Sequence, residues 1–562
     1  MARSPQSGGK QHLQLLPAIN SKTFPLSLID SQIAQASLNS PMEQPQSEAK
    51  RARPSPSPPP SQSQAAGAEP EEEDRLSALD NASLHAILAR LPLRDAAATT
   101  ILSRRWPLVF ATLPRLRVKC GTFNRRDYGD DDHCEDNDRW LDALDCVLAG
   151  RAAPVSAFDV QTKLMCEEEC WFVDLFSEIC GSGGLRELCI TNNSLIDCYQ
   201  VPFPVYNCQT LTSLELYCCR LRVPGNLTGL RAVRSLHLGV VVATDADIRR
   251  MISQCQAMDR LVLDDIRKAR NIVIRAPSLE KLEINLFRPQ CISVKKAPRL
   301  DSVKLGLFYG SAHDSDTEDT EGDLSMSESE GDDIFNFGEM EEREHQQMDE
   351  IGNLLAFLGG VGRSKSKTLS LKLERPYSKV LGKAKNSVPM ALPKKCYLLG
   401  LQKLTLTMDH SHEAVAMLVS CLLNSSPNLK DLEITDPYDM KYPQPLVAEF
   451  WEKQIDAECI QNHLSTVTFD MSSSFFKGPP CLSLARFLVM NARVLDRMSL
   501  KYRRWVDVRH DQSDDKAMYD EFEHKVMLER HELHEAMVET VRSELYSWPK
   551  ASLGARLELC PC

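Results

Sequence analysis

The sequence predicts an α/β chain: a short N-terminal unit of three helices, then a long irregular array of short strands, closed by a strand–helix–strand unit. Three observations carry this. Apolar residues at helical spacing fill residues 74–116. From Val155 onward a different triplet, apolar at i, i+3 and i+5, recurs along the chain. A Ser/Pro-rich leader and one acidic block stand apart from both by composition.

The chain's 562 residues leave room for several domains or one repeat array, and 43% hydrophobic with 26% charged residues is ordinary for a globular protein. Its nineteen cysteines, an odd number, include no Cys-x-x-Cys pair, and no secretory signal is evident. Reduced thiols in the nucleus or cytoplasm are therefore expected. No apolar run reaches the roughly 18 residues of a membrane span. Residues 311–350 hold a local charge of −15 within the total of −12, so the remainder is close to neutral. Neither a nucleic-acid nor a membrane partner is expected.

Residues 1–70, with Pro54 to Pro60 reading PSPSPPP, are expected to be a disordered leader. Lys50-Arg-Ala-Arg53 fits a short nuclear-import pattern, and equally a solvated tail. In the helical unit, assigned to 71–118, Leu84, Ile87, Leu88 and Leu91 form one apolar stripe. Asp80 or Asn81 caps its start and Pro92 ends it. A second, alanine-rich helix runs from Arg94 to about Ser103. Pro107 requires the third helix to begin close to Trp106 or to kink there. Three short helices bury too little apolar surface to be secure alone. Residues 119–150 are a linker, with a polar loop at 125–138 and a short helix near 140–148.

The triplet from Val155 onward appears as Leu185-Leu188-Ile190, Leu211-Leu214-Leu216, Val233-Leu236-Leu238 and Met258-Leu261-Leu263, then Leu279-Leu282-Ile284 and Leu300-Val303-Leu305. One triplet arises by chance at about 0.08 of positions and means little. Its regular recurrence, at steps of about 21 to 26 residues, falls in the leucine-rich-repeat range. Ala276-Pro-Ser-Leu279, Ala297-Pro-Arg-Leu300 and Ser426-Pro-Asn-Leu429 share a lead-in. The expectation is an irregular leucine-rich-repeat solenoid over 151–310 and 351–440, an ordinary parallel α/β domain being the alternative. In each strand i+3 and i+5 face the core, so i+4 and i+6 face the other side. Glu215, Tyr217, His237, Asp264, Glu283, Asn285 and Lys304 should then line one concave target-binding surface, mixed in charge and suited to a protein or peptide.

The acidic insertion, 311–350, should loop out as solvated chain, with Ser315, Thr320, Ser325, Ser327 and Ser329 in acidic settings that suit phosphorylation. Strand-like pieces resume at Leu369–Leu373, Leu401–Leu406 and Leu429–Ile434. Across 441–505, Leu464 to Phe469 reads as a strand, Lys477 to Pro480 as a turn, Leu484 to Met498 as an amphipathic helix and Met498 to Tyr502 as a closing strand. Residues 506–562 carry one long helix through Phe522, Val526, Leu533, Met537, Val541 and Leu545, docked on the array or mobile.

Catalytic motifs nearly appear. His531-Glu-Leu-His534 places its second histidine at i+3, where a zinc-protease helix needs i+4. Gly359-Gly-Val-Gly-Arg-Ser364 resembles a phosphate loop but leads into a strand, so a flexible connector is expected. Cys166 with Cys170, Cys218-Cys219 and Cys560-Pro-Cys562 lack a second ligand pair. Neither a catalytic site, a metal site nor a cofactor is expected.

Leu84 to Leu93, followed by Leu102-Ser-Arg-Arg-Trp106, resembles an F-box, particularly those of plant F-box proteins. It departs from the usual Leu-Pro-Asp at Leu79-Asp80-Asn81, and at Pro107. The unit with Asn491-Ala-Arg-Val-Leu-Asp-Arg-Met498 resembles the FBD region that follows the repeats in that family, so the resemblance covers residues 74–505. It implies a substrate-recognition subunit of a Skp–cullin–F-box ubiquitin ligase with no catalysis of its own. The F-box would hold a Skp-type adaptor and through it a cullin, and the repeats a protein target. The adaptor contacts carried over by motif position are Leu79, Leu84, Ile87, Leu91, Pro92, Leu93, Leu102 and Trp106. The alternative is a repeat scaffold with a degenerate F-box and no link to ubiquitin. Met42-Glu-Gln-Pro-Gln looks like an F-box leader, so a working start at Met42 is expected.

Overall fold

The computed structural model describes residues 76–119, 143–162, 169–192, 199–287, 290–308, 350–374, 381, 388–437, 446–472, 480–503 and 520–562, save 77, 447 and 457. The leader with Lys50 to Arg53, the start at Met42, the 125–138 loop, Cys166, the acidic insertion up to residue 349 and most of the Lys477–Pro480 turn lie outside these residues.

Three short helices open the described chain: α1 (Asn81–Leu88), α2 (Leu93–Ala98), continued by a 3-10 turn at Thr99–Ile101, and α3 (Trp106–Ala111). Asp80 caps α1, its carboxylate accepting from the Ser83 amide at 3.1 Å. That contact holds its pKa below the usual carboxylate value. Pro107 stands in the first turn of α3, where its missing amide donor costs nothing.

Beyond them runs a 14-stranded parallel sheet. In spatial order its strands are β1 (Arg115–Lys119), β2 (Ala157–Thr162), β3 (Glu187–Asn192), β5 (Ser213–Tyr217) and β7 (Ser235–Gly239). Next come β8 (Arg260–Asp264), β10 (Lys281–Leu286), β12 (Ser302–Leu307), β13 (Thr368–Leu373) and β14 (Lys403–Thr407). The last four are β15 (Asp431–Thr435), β16 (Thr466–Asp470), β17 (Arg497–Tyr502) and β18 (Arg556–Pro561). The strands missing from this order pair in two small parallel ladders, β4 (Tyr199–Gln200) with β6 (Cys219–Arg220), and β9 (Asn271–Arg275) with β11 (Cys291–Lys296). The mixed α/β class expected from the sequence is thus borne out.

The triplets explain the register. Leu188, Leu214, Leu236, Leu261, Leu282 and Val303 lie in one row across neighbouring strands, and Ile190, Leu216, Leu238, Leu263, Ile284 and Leu305 in a second. All are buried, because the two-residue period of a strand turns both rows to one face. The first apolar residue of each triplet lies two residues before its strand. In the shared lead-in, Leu279, Leu300 and Leu429 donate to the carbonyls of Ala276, Ala297 and Ser426, each at 3.2 Å, closing a turn with proline at its second position.

Several elements differ from expectation. Residues 359–364 are not a flexible connector but the end of the helix α7 (Glu350–Ser364), following α4 (Glu169–Gly181), α5 (Phe203–Asn207) and α6 (Asp245–Gln254) in the chain. A Cβ on Gly360 would overlap the Val294 backbone, so glycine there lets the helix lie directly on β11. After α8 (Glu413–Asn424), α9 (Ala448–Gln454) and α10 (Glu458–Asn462), helix α11 spans Ser483–Asn491 and stops short of Met498. Ala492 turns to extended backbone there. The long C-terminal helix α12 (Asp520–Ser547) packs rather than floats: Val538, Val541 and Leu545 are buried in the core, and β18 follows it into the sheet.

Candidate functional site

Two surfaces stand out: the polar face of the sheet and the outer side of the helical unit. On the sheet, the seven residues proposed for target binding all lie on the face opposite the leucine rows. Glu215, His237, Val262, Glu283 and Lys304 share one row, and Tyr217, Gly239, Asp264 and Asn285 the next.

Four of them form one hydrogen-bonded chain. Tyr217 Oη lies 2.6 Å from His237 Nδ1, His237 Nε2 lies 2.8 Å from Asp264 Oδ2, and Asn285 Nδ2 donates to Asp264 Oδ1 at 2.5 Å. The carboxylate can only accept, so Nε2 donates to it; in neutral His237 the other nitrogen then accepts the tyrosine proton. Gly239 makes the arrangement possible, because a Cβ there would overlap the Tyr217 ring. Lys304 pairs separately with Glu283 at 3.5 Å. Val262 interrupts the polar row; it is buried, which periodicity alone does not predict.

Beside this chain, over β1, β2, β3 and β5, lies a cavity of about 520 Å³. Arg117, Asp159, Cys189, Glu215 and Tyr217 are among the residues that line it. Arg117 pairs with Asp159 at 3.0 Å, and Arg115 with Glu187. Burial and the nearby Asp159 push the Cys189 thiol up to about 12. Burial, then Glu215, Cys189 and Asp264, push the Tyr217 hydroxyl up to about 12. The β1 and β2 walls were missed as binding positions. Their signal was present, since Leu113-Leu116-Val118 and Val155-Phe158-Val160 carry the same spacing as the repeats.

On the helical unit, the residues proposed to hold an adaptor divide. Leu84, Leu93 and Trp106 are buried within this chain. Leu79, Ile87 and Leu91 are half-buried, Pro92 is exposed and Leu102 is 47% exposed. Two apolar side chains that motif position did not flag are more exposed still, Ile101 at 83% and Leu108 at 58%. Both lie off the α1 stripe, where periodicity has no reason to look.

A parallel sheet whose strands repeat one leucine spacing defines the class, a leucine-rich-repeat-like α/β protein. Residues 175–318 match the family described as FBD-associated F-box protein At5g56370, LRR repeats. The F-box/FBD/LRR-repeat protein At3g26920 of Arabidopsis thaliana is 25% identical over 38% of this chain and 47% of its own length. The Arabidopsis F-box/FBD/LRR-repeat protein At1g13570 is 26% identical over 42% of this chain and 54% of its own. The chain thus spans about half the length of these relatives. A longer match, 24% identical over 75% of the chain and 89% of the relative, is to the Arabidopsis putative F-box/FBD/LRR-repeat protein At4g13965. The resemblance to plant F-box, leucine-rich-repeat and FBD proteins is borne out.

Proposed function

We infer that the chain is a substrate receptor of a Skp–cullin–F-box ubiquitin ligase: the helical unit is an F-box that docks the adaptor, the sheet is a leucine-rich-repeat solenoid, and its polar face holds a protein target. The observation that carries the reading is the set of large apolar side chains left in water on the helical unit, Ile101, Leu102 and Leu108. Ile101 ends the 3-10 turn, Leu102 follows it and Leu108 lies on α3, which packs against that turn. Exposed apolar side chains grouped on a small unit suit a protein interface. Together with the exposed Pro92 and the half-buried Ile87 and Leu91, this group is the adaptor contact. Leu84, Leu93 and Trp106 serve instead as the interior that shapes it. The mechanism is proximity: a target held on the sheet is brought near ubiquitin-transferring subunits, and this chain supplies position rather than chemistry.

The test is co-purification with a Skp-type adaptor and a cullin. The double substitution Ile101→Asp, Leu108→Asp should abolish it, since charge in a desolvated interface costs several kcal/mol, while the melting temperature stays put. A wild-type chain that captures neither would sink the ligase reading and leave the scaffold reading, whereas undiminished capture by the variant would refute this group as the adaptor contact. The departures at Leu79-Asp80-Asn81 and Pro107 are what favour the scaffold.

A further inference from the structure

The cavity over β1, β2, β3 and β5 has a charge pattern that selects its occupant. Its two arginines are already engaged, Arg115 by Glu187 and Arg117 by Asp159. Glu215 forms no ion pair among the described residues, although it stands in the cavity wall. Three carboxylates against two guanidinium groups leave a net negative wall. Burial is the main reason that the Cys189 thiol and the Tyr217 hydroxyl resist becoming anions there, and the neighbouring Asp159 and Glu215 carboxylates add to it. One wall is aromatic: Tyr217, leaning over Gly239 on one side, lines the cavity. A carboxylate beside a tyrosine ring matches a long aliphatic stem ending in a cation. The volume lies within the roughly 300–1,000 Å³ of ligand pockets.

We propose that this cavity is a subsite for an arginine or lysine side chain of the bound protein, with Glu215 as its counter-ion and Tyr217 as its aromatic wall. The occupant is a side chain of a polypeptide rather than a free cation, because the polar surface does not end at the cavity. It continues through the Tyr217–His237–Asp264–Asn285 chain to the Glu283–Lys304 pair, three and four strands beyond β5. A segment anchored at Glu215 meets donors and acceptors of both signs beyond it. The proposal rests on the reading of this face as the target surface.

The test uses the full chain on an array of random twelve-residue peptides. Bound peptides should be enriched in arginine and lysine. Glu215→Gln should weaken them about tenfold, as expected when a partly desolvated charge pair loses one member. Glu215→Lys should shift the selection toward aspartate and glutamate. Because Glu215 is a half-exposed strand position, melting temperatures of both variants verify folding; should the lysine variant not fold, the glutamine variant decides. Selection of neutral or acidic peptides by the wild type, binding unchanged in Glu215→Gln, or no peptide bound at all would each overturn the proposal. So would spermidine displacing the best peptide at equal concentration, which would mark a site for small cations. Adaptor capture is scored separately. A chain that selects cationic peptides but captures no adaptor loses the ligase reading and keeps this subsite.

Discussion

Cys189 lines a cavity, yet its surroundings make it a poor nucleophile. The thiolate is the reactive form, and burial together with Asp159 holds the thiol's pKa near 12, above the ordinary value. Little thiolate is therefore present at pH 8. Iodoacetamide at that pH should modify Cys189 at least about tenfold more slowly than the exposed Cys146. Asp159→Asn removes the neighbouring negative charge, so it should bring the rate up. Mass spectrometry of modified peptides gives both rates, and equal rates for Cys189 and Cys146 would contradict the cavity's electrostatics. At this scale the sequence was legible where alternation decides the outcome: Glu215, Tyr217, His237 and Asp264 lie on the polar face as their spacing implies. It was not legible where packing decides. Spacing marks Leu84, Leu93 and Trp106 as apolar, but whether an apolar side chain faces its own core or a partner depends on elements distant in the chain.

At the scale of elements, the glycines of α7 show why local preference misleads. Glycine is about 1 kcal/mol worse than alanine in a helix, and three within four residues read as loop. The helix forms because contact with β11 outweighs that preference: Val361 is buried, and Gly360 and Gly362 face the Val294 and Cys396 backbones at distances that exclude a Cβ. Gly360→Val should therefore destabilise the fold by about 1–3 kcal/mol, although valine is not a poorer helix former than glycine. Urea unfolding measures it, and a neutral or stabilising result would show that the contact is loose. The strands were easier to foresee, because each declares itself in three residues and the declaration repeats. The ladder of β9 and β11 was not foreseen, since Ile272-x-Ile274 and Ile292-x-Val294 alternate over too short a stretch to separate from the main rows.

At the scale of the whole molecule, the sheet has two ends that must be closed. A parallel sheet with a bare edge offers unpaired amide and carbonyl groups to other chains. At one end, α2 packs near β1. At the other, β18 pairs with β17 in register from Arg497 with Arg556 to Tyr502 with Pro561, and Arg497 binds Glu558 at 2.7 Å across the pair. The helix before β18 contributes Val538, Val541 and Leu545 to the core, and Trp548 just after it is buried as well. Truncation after Arg503 removes both the helix and the strand, exposing the β17 edge and the apolar side chains that α12 covers. In arrays built from neighbour contacts, the loss should stay near the end where it is made. The truncated chain should melt at a lower temperature and aggregate with rising concentration, while the helical unit at the far end keeps whatever adaptor binding the intact chain shows. Light scattering, thermal melts and adaptor capture on the same preparation decide it. An unchanged melting temperature would mean that α12 and β18 only rest on the sheet, and loss of adaptor binding would mean that the two ends are coupled.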